Sequence, residues 1–167
     1  MINKINKLPE SEFTKVFANI FENASWIAEK LYKQKPFDSY EELSIKMINI
    51  FENSSKEKKL EILNAHPDLA DKAKIALLTP DSKKEQNSAG LDECSEEELN
   101  EFKKLNSTYK KFGFPFILAV KGKNKKEILN NFRKRVNSDS EIEFDEAIKQ
   151  VKKIASLRLK EIKDKDN

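Results

Sequence analysis

The sequence predicts an all-α chain, a single-domain helical bundle with one short buried extended segment near 114–120. Three observations predict it. Apolar residues recur at three- and four-residue steps through most of the chain, the period of a helical face. Serine repeatedly stands three residues before a glutamate at the head of such a stretch, the pattern of a reciprocal helix cap. Only Phe114-Pro115-Phe116-Ile117-Leu118-Ala119-Val120 is continuously apolar in the manner of a buried strand. No second run is available to pair with it, so no sheet is expected.

Size and composition suit one domain. The chain has 167 residues, of which 38% are hydrophobic, and eleven phenylalanines supply a core despite 37% charged residues. The net charge of +3 is the remainder of 32 basic and 29 acidic residues, intermixed along the chain. Neither a nucleic-acid nor a membrane partner is expected from that balance, and the lysines around 56–59, 103–111 and 121–126 read as solvated faces. The lone Cys94 excludes an internal disulfide and suits a reducing interior. With no apolar leader and no peroxisomal tripeptide in the tail Lys163-Asp164-Lys165-Asp166-Asn167, a cytoplasmic location is expected.

The elements follow in order. Phe13, Val16, Phe17, Ile20 and Phe21 predict a helix from Pro9 that continues through Trp26 and Leu31. After the turn Lys35-Pro36-Phe37-Asp38-Ser39, a second face holds Leu43, Met47, Ile50 and Phe51. Ser54 with Glu57 opens a third helix, carrying Leu60 and Leu63, that stops near Asn64. Pro67 disfavours helical dihedrals at His66, which is therefore expected in an extended or turn geometry at a helix end. Asp68 to Leu78 predicts another short helix; Thr79-Pro80-Asp81 reads as a turn into a helix opened by Ser82 and Glu85, with Gly90 as its left-handed stop. Ser95 and Glu98 start a helix bearing Leu99, Phe102, Leu105, Asn106, Tyr109 and Phe112, ended by Gly113. The backbone of the apolar run that follows needs side-chain, helix-end or ligand partners. Asn124 caps a helix with Ile128, Leu129, Phe132 and Val136. The turn 137–140 leads to the last helix, whose core stripe is Phe144, Ile148, Val151, Ala155 and Ile162, with Arg158 in the missing position.

His66 is the one histidine, the only side-chain type that changes charge near neutral pH when unperturbed. It reads either as a helix-end residue satisfying a carbonyl or as an acid or base. Ser82 and Glu85 have the spacing of a helix cap, a role compatible with catalysis, since a helix opened there would present amides to an anion. Arg158, facing a core, must meet a carboxylate supplied by a protein acid or by a ligand. Phe114 and Phe116 read first as core. A zinc site is not expected from one His and one Cys far apart; a carboxylate-only magnesium site stays open.

Together these pieces resemble the 2-oxo-4-hydroxy-4-carboxy-5-ureidoimidazoline (OHCU) decarboxylases. The matching stretches are His66-Pro67-Asp68-Leu69-Ala70; Leu78-Thr79-Pro80-Asp81-Ser82 with Glu85-Gln86 and Ala89-Gly90; Leu105-Asn106-Ser107 with Tyr109; Phe112-Gly113-Phe114-Pro115-Phe116; and Ile154-Ala155-Ser156-Leu157-Arg158-Leu159. The likeness runs from about Leu8 to Ile162. It implies one all-α domain, no cofactor and no metal, generally a homodimer, and decarboxylation of OHCU to (S)-allantoin in urate breakdown. By matching motif, it implies that His66 is the catalytic proton donor and Pro67 a substrate contact. Ser82, Lys83, Lys84, Glu85 and Gln86 then form a binding stretch in which Glu85 is also catalytic. Phe116, Ile117, Leu118, Ala119 and Val120 form another, and Arg158 is the site arginine. A stand-alone bacterial enzyme is expected, with no fused hydroxyisourate-hydrolase domain. The competing readings are an enzyme acting on a related ureido or imidazoline acid, and a helical interaction module whose motifs are packing and caps.

Overall fold

Capping chemistry sets most element boundaries in the computed structural model, which describes residues 1–71 and 78–166. Among the described residues the chain is helical, with no strand. In order the helices are α1 (Ile2–Lys7), α2 (Glu10–Phe17), α3 (Ser25–Tyr32), α4 (Tyr40–Glu52), α5 (Lys56–Ala65), α6 (Pro80–Ser88), α7 (Glu96–Tyr109), α8 (Lys125–Arg135) and α9 (Ser140–Lys165). A short 3-10 turn, Lys110–Phe112, follows α7. The helix expected over Asp68–Leu78 falls largely on 72–77, outside the described residues. The chain forms two compact units, one of residues 1–62 with 152–167 and one of residues 63–151.

In the first unit, the long helix expected from Pro9 through Leu31 is instead α2 and α3 with a corner between them. Asn23 adopts φ 48° there, a left-handed conformation that asparagine tolerates better than most residues. Ile20, Phe21 and Ala24 are buried on that corner, so the apolar spacing persisted where the helix did not. Around them pack Phe13, Phe17, Leu31, Leu43, Met47 and Phe51, with the Phe13–Phe17 and Phe21–Phe51 ring centroids 4.7 and 5.0 Å apart. The half-buried Trp26 ring is crossed by the ammonium groups of Lys30 and Lys58. α4 is capped by Ser39, and Tyr40 donates from its buried hydroxyl to the Leu159 carbonyl at 2.7 Å. The α5 cap is Ser55 rather than Ser54: the Ser55 hydroxyl accepts from the Lys58 amide, and the Ser54 hydroxyl turns back to the Phe51 carbonyl.

In the second unit, α6 starts earlier than Ser82. Thr79 is its N-cap and Pro80 its first residue, where a missing N–H costs nothing. The expected Ser82–Glu85 cap is therefore absent, because Ser82 already lies inside the helix with its amide on Thr79 Oγ1. Gly90, at φ +76°, ends α6 with the Leu91 amide on the Gln86 carbonyl, a Schellman closure. Ser95 with Glu98 and Asn124 with Glu127 form complete capping boxes on α7 and α8. Gly113 stops the 3-10 turn at φ 86°. Residues 115–120 then run extended and, from Phe116 on, buried, without a partner strand. The Phe116 ring stacks on Phe132 at 3.9 Å between centroids, and Tyr109 meets both edge-on. Cys94 is buried in this unit. The buried face of α9, which belongs to this unit up to Val151 and to the first unit beyond it, is turned from the expected stripe: Glu143, Ala147, Val151, Ile154, Ala155, Arg158 and Leu159 are buried, while Phe144, Ile148 and Ile162 are only half-buried. No helix among the described residues is long and apolar enough to cross a membrane.

Candidate active site

His66 is placed by the end of α5. Its amide still reaches the Leu63 carbonyl at 3.2 Å, but helical hydrogen bonding stops there, as the following proline requires. The ring is attached at the head of an irregular loop, and both His66 and Pro67 are partly exposed.

That loop is held by two buried amide side chains. From α6, Gln86 accepts the Ala70 amide on Oε1 at 3.1 Å and donates from Nε2 to the Asp68 carbonyl at 3.3 Å. From α7, Asn106 donates from Nδ2 to the Leu69 carbonyl at 3.0 Å. Three consecutive residues just past His66-Pro67 are thus fixed by side chains from two helices. Ala70 needs such restraint, because its φ of 59° is left-handed and costs a residue with a Cβ about 1–2 kcal/mol.

The same helix, α6, carries the expected binding stretch. Ser82 and Gln86 are buried, Glu85 is half-buried, and Lys83 and Lys84 are exposed on its outer side. Gln86, expected to hydrogen-bond substrate, spends both ends of its amide on the His66 loop. Ser82 lies in the first turn of α6 and Glu85 in the second.

Phe116 to Val120 are all buried. As the sequence required, their backbone finds side-chain partners: the Ile117 carbonyl accepts from Arg135 Nη1 at 2.6 Å, and the Ala119 amide donates to Gln150 Oε1 at 3.0 Å. Arg135 also bonds Glu143 through Nε at 2.6 Å, and its guanidinium lies 4.5 Å from the centre of the Phe116 ring. Tyr109 donates its hydroxyl to the same Glu143 carboxylate. Burial, reinforced by that bond, pushes the Tyr109 phenol well above its ordinary range, so it remains a donor. Sequence reasoning missed this cluster. Arg135 sits in the basic run Arg133-Lys134-Arg135 at a helix end, where a solvated charge is the ordinary expectation.

Arg158 lies in the first unit. The carboxylate it required is a protein acid: Nη2 meets Glu22 at 2.9 Å, and Nη1 donates to the Asn19 carbonyl at 3.0 Å. Both partners are on the corner between α2 and α3. Among the described residues no group of three or more His, Cys, Asp or Glu side chains is arranged to hold a metal ion.

The fold is thus all-helical, with its one histidine at the head of a loop that two neighbouring helices brace. Comparison with known proteins makes the class specific: residues 6–160 match the OHCU decarboxylase family model, and the chain belongs to that family. It is 38% identical over 161 residues to a 2-oxo-4-hydroxy-4-carboxy-5-ureidoimidazoline decarboxylase of Haloferax volcanii, covering 96% of this chain and 94% of that protein. It is 40% identical to a uric acid degradation bifunctional protein of Bacillus sp. strain TB-90, again over 96% of this chain but only 32% of that longer protein. Among solved structures, an (S)-allantoin synthase matches with a TM-score of 0.78 at 32% identity, over 97% of this chain and 53% of that one. An OHCU decarboxylase crystallised in the presence of (S)-allantoin matches with a TM-score of 0.70 at 26% identity, over 92% of this chain and 98% of that one.

Proposed function

We propose that this protein is a carboxy-lyase that converts OHCU to (S)-allantoin in urate breakdown, without a cofactor, with His66 as the stereospecific proton donor. The observation that carries this reading is the tie between the His66 loop and α6: the helix that bears Ser82 and Glu85 also fixes, through Gln86, the backbone four residues past the histidine. A proton donor and a polar binding stretch are thereby held in one frame.

The chemistry asks for little more. The bond from the hydroxyl-bearing ring carbon to the carboxylate breaks, carbon dioxide leaves, and the electron pair forms a double bond to the neighbouring ring carbon as the adjacent carbon–nitrogen double bond takes up charge. The substrate is its own electron sink, so the work of a carbanion-stabilising cofactor is already done. A proton from His66 to one face of the ureido-bearing carbon, with ketonisation of the enol, then gives a single enantiomer. Glu85 orients or deprotonates the substrate hydroxyl. Ser82, Lys83, Lys84 and Gln86 complete the stretch on α6, with Gln86 acting through the loop it holds. Pro67 and Phe116 to Val120 contact substrate, and Arg158 keeps the substrate-binding role its motif implies. In this reading residues 1–167 work as one catalytic domain, which a family match running through both compact units supports, and the protein acts as a cytoplasmic homodimer.

The test is circular dichroism of OHCU generated in place from urate by uricase and hydroxyisourate hydrolase. Wild type should bring up the (S)-allantoin signal rapidly, and His66→Asn should not. Folded wild-type protein that fails to outpace spontaneous decay would remove the assignment and favour a related ureido acid.

A further inference from the structure

Asn106 stands out among the buried polar residues. It is 8% exposed, its Nδ2 donates to the Leu69 carbonyl at 3.0 Å, and its Oδ1 is buried with no hydrogen-bond partner among the described residues. A buried acceptor left without a partner is unfavourable, and a leucine, of the same branched shape, would carry no such acceptor. What the amide supplies in return is one directed bond, to the carbonyl between the two residues that Gln86 grips. That bond falls three residues from His66 and one from Ala70, the left-handed residue whose conformation the loop does not favour by itself.

We infer that Asn106 is a positioning residue for His66, acting through the Leu69 carbonyl to hold the loop in the one conformation that aims the imidazole. Gln86 restrains Asp68 and Ala70 from α6. Asn106 adds a restraint from α7, so the loop is fixed between two helices and cannot follow the movement of either one. The kinetic consequence deepens the proposed decarboxylation and rests on it. The structural consequence does not.

The experiment uses Asn106→Leu with two readouts, and Asn130→Leu on the exposed face of α8 as a control. The chain has a single histidine, so the Cε1 proton of its ring gives one isolated NMR signal. In the wild type and the control that signal should be single and sharp; in Asn106→Leu it should broaden or split, with the remaining spectrum and the melting temperature close to wild type. With OHCU, kcat should fall about 10- to 100-fold, as for misplacement of a reacting group by about an ångström, with KM little changed and a smaller excess of (S)-allantoin. Adding Ala70→Gly, which removes the steric objection to the left-handed conformation, should restore part of the loss. An unchanged His66 signal in folded Asn106→Leu would overturn the inference, as would a rise in KM at constant kcat and enantiomeric excess, which marks a substrate contact. Asn106→Thr, read the same way, serves should the leucine variant fail to fold. If wild type itself does not turn over OHCU, the proposed reaction fails while the NMR arm still decides the role of Asn106.

Discussion

Arg135 and Arg158 each bury a guanidinium against a glutamate and against backbone carbonyls of an irregular segment, but they are wired differently. Arg158 finds both kinds of partner on one stretch, Glu22 and the Asn19 and Ile20 carbonyls, so it bolts down a local corner. Arg135 joins three elements: Glu143 of α9, the Ile117 carbonyl of the extended segment and, at 3.5 Å, the hydroxyl of Tyr109 on α7. The lesson is that the same ion pair can serve a turn or a whole layer. The buried run 115–120 has no strand beside it and depends on the second kind.

The largest expected effect separates the two arginines. Arg135→Leu and Arg158→Leu each strand a buried carboxylate, at a cost of about 3–5 kcal/mol. Urea denaturation should place Arg135→Leu at the upper end, since it undoes a tie shared by three elements, whereas Arg158→Leu frees carbonyls of one corner. Equal losses would erase the distinction drawn above. Pairing Arg135→Met with Glu143→Leu should recover most of the stability, because no buried charge is then left alone.

The two buried tyrosines sharpen the comparison at smaller scale. Tyr109→Phe removes a hydrogen bond to a carboxylate and should cost about 2 kcal/mol, whereas Tyr40→Phe removes one to a neutral carbonyl and should cost about 1 kcal/mol. Thermal melts of the pair measure the difference. If Tyr40→Phe proves the more damaging, the bond from Tyr109 to Glu143 does not strengthen the second unit as its charge implies.

The smallest effect belongs to the surface. The Ser95 amide and then the Lys125 ammonium hold the Glu98 carboxyl below its usual range. A carboxylate with a depressed folded-state pKa contributes stability that is present above its unfolded pKa, about 4.3, and is lost as pH falls through the lower folded value. Glu98→Gln should therefore trim stability slightly at neutral pH and leave it unchanged in strong acid. Salt should weaken the half-exposed Lys125–Glu98 pair and leave the buried Arg135–Glu143 pair nearly untouched.

Much of the helical framework was legible because its signals are local. Ser95 with Glu98, Asn124, Gly90 and Gly113 act within a turn of themselves, and each appears where the sequence places it. The corner at 18–24 was hidden because Ile20, Phe21 and Ala24 are buried on either backbone course, and periodicity reports burial before conformation. At Thr79-Pro80 the sign was present but read as a turn, although proline suits the first position of a helix equally well. In the candidate site, His66 and its loop geometry followed from one proline. The partners of that loop did not, since Gln86 and Asn106 act 16 and 37 residues from their acceptors and donors, and no spacing rule reaches that far. Arg158 was visible as a charge on an apolar stripe, Arg135 invisible as a charge among charges.

The single tryptophan and the single cysteine fall in different compact units, Trp26 in the first and Cys94 in the second. The chain therefore carries one native reporter for each. Indole fluorescence follows the loss of the first unit, and the rate at which a thiol reagent modifies Cys94 follows the opening of the second. Coincident transitions along a denaturant series would mark one cooperative folding unit, and separated transitions would give each unit a stability of its own.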